Sequence, residues 1–410
     1  MKRHSLVALM LLTLLLGVNF VGAAAPVEIE IWHRWGGLNN EVLQEIVDKF
    51  NAEYAGEIVV KNSPIPGEYL DVVEKIVARK AARQDPPDIF SPGHYLMSYT
   101  VKALEAVDLA TVAGDELEEV ASRFSNPDIW DFGKVDGQQY GVPFVVSTMV
   151  MYWNPDIFKA AGLDPDRPPQ TWEEVRQFAE QIRKNTQYDA LFISLPQETW
   201  ALQNLLAMNG VQMKVDGKAA FNTPEAVEVM EMYRSFYADG LIPLVSYTEA
   251  ERGFQSGRVG MMLNTIMRYQ TYKEYAPWLR VGPMPSFGDK PKRLVIGGSS
   301  FVMLSQDPAK QKAAWRFMEY LTRQETMALW VKTGYLNPLK AEVPLAYPEQ
   351  GIATEQLAYG VGWVDWGAGA AGLEAEQIIV DARDRIIYGR EAAQPALDKA
   401  VRDINAMIGD

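Results

Sequence analysis

Val27, Ile29 and Ile31 alternate with Glu28 and Glu30, a period of two that predicts a strand with one buried face. Leu43, Ile46, Val47 and Phe50 then recur at helical spacing, and Ile58 to Val60 predicts a second strand. A helix over roughly Tyr69 to Arg83 and a third strand near Asp88 to Phe90 follow. The alternation resumes after Phe144. Val145 to Trp153 is an apolar run of strand character, a short helical piece ends at Gly162, and Pro165, Pro168 and Pro169 stiffen the entry to another helix. Thr171 and Glu174 have the spacing of a capping box there, and Val175, Phe178, Ala179 and Ile182 share one face. Ala226, Val229, Met230 and Tyr233 form a further face, opened by Thr223-Pro224. Ala314, Phe317, Met318 and Leu321 form another, opened by Asp307-Pro308. Strands alternating with helices argue for α/β layers around a largely parallel sheet.

At 410 residues the chain is expected to hold two or three domains. A formal charge of −14 disfavours nucleic acid and anionic membrane as partners. Lys2 and Arg3 precede an apolar stretch, Leu6 to Phe20, and the small residues Val21 to Ala25. This predicts a cleaved signal peptide over residues 1–24, the apolar run falling short of the roughly 20 residues a membrane span needs. There is no cysteine, which removes disulfides, thiol catalysis and a lipid-bearing residue at the cleavage site. The expectation is an exported, soluble, periplasmic protein.

Several short motifs occur in a telling order. They are Ile31-Trp32-His33, Phe50-Asn51-Ala52, and Pro143-Phe144 with Ser147-Thr148 and Tyr152-Trp153-Asn154. Phe254 to Met262 fits F-x-x-G-x-x-x-M. Ile296 to Ser300, Thr333-Gly334-Tyr335-Leu336, and Tyr388-Gly389-Arg390 with Gln394 to Asp398 complete the series. With the block Met151 to Val175, the chain resembles family 1 of the extracellular solute-binding proteins of ABC importers, which carry sugars and glycerol phosphates. The resemblance covers essentially the whole mature chain. It implies a two-lobed periplasmic-binding-protein fold of type II, each lobe a mostly parallel sheet flanked by helices, with the ligand cleft between. Residues 25–147 and 299–338 would form lobe I, and 148–298 with 339–410 lobe II. Strand crossings would lie at Val145 to Val150, Gly297 to Phe301 and Gly334 to Lys340. A monomer without metal or cofactor, handing its solute to membrane permease subunits, is the implied role.

The same resemblance puts ligand contacts at Tyr69, Ser147 or Thr148, Gly298 and Tyr335. A glycerol-contacting glutamate of the glycerol-3-phosphate binders would fall near His94, and their phosphate-pairing arginine at Gln377. Losing that arginine removes the bidentate contact that best holds a phosphate, unless Arg34 or Arg268 replaces it. A neutral di- or oligosaccharide is therefore expected, with glycerol-3-phosphate or a glycerophosphodiester as the alternative.

Sugars need aromatic platforms and hydrogen-bonding side chains in a cleft beyond the carboxyl ends of strands. His33, Arg34 and Trp35 follow the first strand, and His94 and Tyr95 the third. Asn264 ends the run Met261-Met262-Leu263. Trp200 lies beside Gln197 and Glu198 and is read as a stacking platform or a core residue. Trp363 and Trp366 sit in a Gly-rich stretch, where a binding role for at least one is expected; Trp315 and Trp330 fall on helical faces and read as core. Gly367 to Gly372 fits G-x-G-x-x-G, but no strand precedes it, so a nucleotide site is not expected. A secreted glycosidase is the enzymatic competitor, since its two carboxylates leave no local signature. The acids here sit mostly on polar helix faces, only His33 and His94 lie outside the leader, and neither H-E-x-x-H nor G-x-S-x-G occurs.

Overall fold

The computed structural model describes residues 25–194, 199–367 and 369–408. The expected signal peptide, and Gln197 and Glu198, lie outside the described residues. Two sheets dominate. The first contains β1 (Val27–His33), β2 (Ile58–Pro64), β3 (Ile89–Phe90) and β4 (Gly141–Ser147). The second contains β5 (Met149–Trp153), β6 (Asp189–Ile193), β7 (Val259–Thr265) and β8 (Arg280–Gly282), after which β9 (Gly297–Met303) returns to the first. The orders are β2-β1-β3-β9-β4 and β8-β5-β7-β6.

Neither sheet is as parallel as the alternation of elements suggested. β1 runs parallel to β2 and β3, but β9 is antiparallel to both β3 and β4. In the second sheet β7 is parallel to β6 and antiparallel to β5, which is itself antiparallel to β8. The cause is the path of the chain. β4 passes into β5 through Thr148 alone, with no crossover helix to turn a strand back into parallel register.

Helices form where the periodicity put them. Gly37–Glu53 buries Val42, Leu43, Ile46, Val47 and Phe50. Asn51 ties its end to β2, donating to the Val60 carbonyl at 3.0 Å and accepting from the Val60 N–H at 2.8 Å. Trp172–Asn185 is capped by Thr171, whose hydroxyl accepts from the Glu174 N–H at 3.2 Å. The reciprocal half of the expected box is displaced by one residue, because Glu174 accepts from the Gln170 N–H at 2.7 Å and pairs with Arg167. Thr223 and Asp307 cap Pro224–Ala238 and Pro308–Leu321.

Pro308–Leu321 packs on β1, whereas Ala370–Ile387 and Ala393–Ile408 pack on each other and on Pro224–Ala238. No helix among the described residues is long and apolar enough to cross a membrane.

Candidate ligand-binding site

Tyr335 marks where the two sheets bring polar groups together. It is buried and stacked on Trp330, with ring centroids 5.5 Å apart and planes 3° from parallel. The Leu336 N–H donates to the Val146 carbonyl at 2.9 Å and so holds this segment against β4. Burial raises the Tyr335 phenol well above its usual pKa and Tyr69 adds to the rise, while Arg34 and Arg268 oppose it. Arg34 and Tyr69 follow strands of the first sheet, and Arg268 follows β7 of the second. All three thus act on one hydroxyl.

Each arginine brings its own acid. Arg34 pairs with Glu68 at 2.6 Å, donates to the Gly67 carbonyl at 3.1 Å and lies 4.8 Å above the Tyr69 ring. Arg268 approaches Glu251 at 3.3 Å. The Glu251 carboxylate also accepts from the Tyr247 and Tyr272 hydroxyls at 2.7 and 2.8 Å. Asn264 donates to the same two hydroxyls at 3.0 and 2.7 Å, and its carbonyl accepts from the Thr265 N–H at 2.8 Å. Donors and acceptors therefore alternate within a neutral pair of ion pairs. That pattern matches hydroxyls, each of which donates and accepts.

Aromatic rings continue the site toward the chain's last third. Tyr69 meets Tyr95 edge-on at 6.5 Å, and Tyr95 faces Trp363 at 5.7 Å. Trp363 is half-buried, and its indole N–H donates to Glu376 at 3.2 Å.

Other expected contacts turn out to build the walls. His33 is fully buried, with Nε2 2.6 Å from the Asn62 side-chain carbonyl and Nδ1 accepting from the Trp35 N–H at 3.1 Å. Burial lowers its pKa to about 4, so it is neutral and has no nitrogen left for a ligand. Trp35 is core, 5.4 Å from Trp330 and edge-on to Phe301 at 5.9 Å. The Trp200 indole donates to the Val295 carbonyl at 2.8 Å, and its ring covers Gly297 so closely that a Cβ there would stand 2.5 Å from it. It wedges the returning strand instead of offering a face to a sugar.

His94 is buried 4.9 Å from Phe132, neither ring nitrogen makes a hydrogen bond among the described residues, and burial lowers its pKa to about 4, the nearby backbone of Ile296 and Ser299 opposing the shift. Gly298, at φ 141°, lies in front of it and keeps some exposure, so its backbone is what a ligand can reach. The Ser147 hydroxyl is paired with that of Thr265, bridging the ends of β4 and β7. Gln377 is exposed and bonds Asp381 at 2.7 Å, while its neighbour Glu376 points inward and is 8 % exposed. The inward position on that helix is acidic.

Sequence reasoning missed Tyr247, Glu251, Tyr272 and Glu376. A cavity of about 790 Å³ on the flank of the second sheet shares Tyr247 with this network but is lined by none of Arg34, Tyr69, Arg268 or Tyr335. It is distinct from the convergence described.

Two α/β sheets joined by direct strand crossings, with arginines and aromatics of both meeting at one place, define the architecture of a type II periplasmic binding protein. Residues 45–357 match the model of the bacterial extracellular solute-binding protein family, and the chain belongs to that family, as a solute-binding protein of an ABC importer. The sn-glycerol-3-phosphate-binding periplasmic protein UgpB of Shigella dysenteriae serotype 1 (strain Sd197) is 28% identical, covering 96% of this chain and 96% of its own. UgpB of Escherichia coli (strain K12) is 27% identical with the same coverage. Among solved structures, the cyclic alpha-maltosyl-1,6-maltose binding protein from Arthrobacter globiformis matches with a TM-score of 0.81 at 22% identity, over 94% of this chain and 99% of that one. The GacH receptor of Streptomyces glaucescens, solved unliganded and with acarbose, matches at 0.79 and 15% identity, over 94% and 99%. These similarities show the fold.

Proposed function

We propose that this protein captures a neutral di- or oligosaccharide in the periplasm and delivers it, chemically unchanged, to membrane permease subunits. One observation carries the reading: both arginines at the convergence are already neutralised, Arg34 by Glu68 and Arg268 by Glu251. A phosphate would have to compete with those carboxylates, whereas a hydroxyl edge bonds to both members of each pair. The band Tyr69–Tyr95–Trp363 supplies apolar faces for sugar C–H patches. The binding partners named in the relatives divide between sn-glycerol 3-phosphate for UgpB and saccharides for the solved structures, from maltose and maltotetraose to mannotriose and tagatose. The charge balance at the cleft favours the second group.

The working parts in this reading are two lobes, residues 25–147 with 299–338 and residues 148–298 with 339–410. They close about the strand crossings as a monomer, and a ligand drives closure only by binding the closed form better. Calorimetry with mono-, di- and oligosaccharides, beside sn-glycerol 3-phosphate and a glycerophosphodiester, tests the ligand class. Saccharide binding with glycerol 3-phosphate at least ~100-fold weaker, about 2.7 kcal/mol, is expected. The reverse order would sink the proposal.

A further inference from the structure

Glu376 is an acid buried with no cation within ion-pair distance among the described residues. Its carboxylate instead collects neutral donors from two parts of the chain, the start of the helix Trp200–Met208 and the stretch carrying Trp363 and Trp366. One oxygen accepts from the indole N–H groups of Trp363 at 3.2 Å and Trp366 at 3.1 Å, and from the Gln203 amide at 3.4 Å. The other accepts from the Thr199 hydroxyl. Gln203 is itself fixed, donating to Thr199 at 2.7 Å and accepting from the Val364 N–H at 3.3 Å. Indoles only donate, so a proton on the oxygen they face would meet donors alone. The ionised form is the one this cage fits. Burial leaves its pKa above the usual carboxylate value, and the four hydrogen bonds to the ionised form offset that rise in part.

The stretch this cage holds is also the one that reaches the first sheet's helices. Trp363 faces Tyr95, Asp365 accepts from Ser98, and the Gly367 carbonyl accepts from Lys102. Trp366, edge-on to Phe221 at 6.2 Å, is the buried anchor, and Trp363 is the partly open ring at the end of the aromatic band.

We propose that Glu376 is a positioning residue for ligand capture, fixing the Trp363 platform, and that its charge behind that platform turns away anionic solutes. The inference rests on the carbohydrate reading above and adds the device that excludes phosphate esters. A charge shielded from water acts over several ångströms, where its Coulomb energy exceeds the value in bulk solvent.

Two variants separate position from charge. Glu376→Gln keeps the length and loses the charge; Glu376→Asp keeps the charge and withdraws it from the indoles. Their indole N–H signals are read by NMR on protein with isotope-labelled tryptophan, assigned with Trp363→Phe and Trp366→Phe. Affinity for sn-glycerol 3-phosphate is measured by calorimetry on the same samples. Both variants are expected to shift the two indole signals upfield and speed their exchange with solvent by ~10-fold or more. Only Glu376→Gln is expected to gain affinity for sn-glycerol 3-phosphate, by roughly 10-fold.

Unmoved indole signals overturn the positioning role. Equal or absent anion binding in wild type and Glu376→Gln overturns the discrimination, as does a gain in Glu376→Asp should the glutamine variant fail to fold. Tight binding of sn-glycerol 3-phosphate by the wild type refutes the neutral-sugar reading instead, and leaves the indole measurement to judge the positioning role alone.

Discussion

Replacing Gly298 by alanine attacks the returning strand where it has least room. The residue lies at φ 141°, a conformation that side-chain-bearing residues rarely adopt. A Cβ there would stand 1.8 Å from the Val145 carbonyl oxygen and 2.7 Å from its carbon. Backbone cannot swing aside as a flexible side chain can, so β4 and β9 must separate around the pairing of Gly298 with Val146. The strained conformation costs about 1–3 kcal/mol. Loosening a buried ladder hydrogen bond adds about 1–3 kcal/mol. Gly288 is the control: it is exposed at φ 56° with nothing within 4 Å of an added Cβ. Alanine there incurs only the left-handed penalty of about 1–2 kcal/mol. Thermal unfolding followed by circular dichroism should place Gly298→Ala several degrees below Gly288→Ala, and saccharide affinity should fall only in the former. Equal melting temperatures would refute the claim that contact with Val145 decides the outcome.

Glu319 joins Arg123 at 2.7 Å and Arg323 at 3.1 Å with its side chain 9% exposed, so Glu319→Gln should destabilise. The loss is about 1–3 kcal/mol, since Glu119 and Glu53 retain the arginines. Burial raises the Glu319 pKa, but hydrogen bonds from both arginines outweigh it and hold it below 4.5. The wild type's advantage is thus complete above about pH 4.5 and disappears as pH falls through the lowered folded value, which melts of both proteins across that range will check. Trp35→Ala and Trp200→Ala should lower the melting temperature by removing core, at about 3–5 kcal/mol each. Trp363→Ala should instead weaken saccharide binding ~10-fold or more, with a smaller loss of melting temperature than either core variant because Glu376 keeps its other three donors; intrinsic fluorescence titration distinguishes the two patterns, and loss of binding without loss of stability at Trp200 would restore it to the site. Small-angle scattering should show compaction when a bound saccharide saturates the protein, and unchanged dimensions would count against hinge closure.

The alternation of strands and helices was legible because each element buries one face, as Leu43, Ile46, Val47 and Phe50 do. Strand direction was not, because it depends on the chain passing between sheets at Thr148, which no period encodes. Strand-end logic led to Arg34 and Asn264, and Arg268 entered only as a stand-in for a missing phosphate-pairing arginine. The same logic also led to His33 and Trp35, which turn inward to Asn62 and Trp330. Neighbouring residues at a strand end point to opposite sides, and only the packed partner decides which side is the cleft. Tyr247 and Glu251 read as ordinary residues of a short polar helix until Asn264 of β7 is placed beside them.

Glu376 had a signal of its own. Glu376, Ile379, Val380, Arg383 and Ile387 recur at helical spacing, and all are buried. A charged side chain at a core position of an apolar face must be hydrogen-bonded within the fold, because leaving it bare in the interior costs far more than the face gains. Such a residue needs donors that only the tertiary fold can supply, and here two tryptophans, a threonine and a glutamine supply them. The Gly-rich stretch carrying Trp363 and Trp366 is tied down by that carboxylate together with bonds from Ser98, Lys102 and Lys214, none of which its own sequence announces.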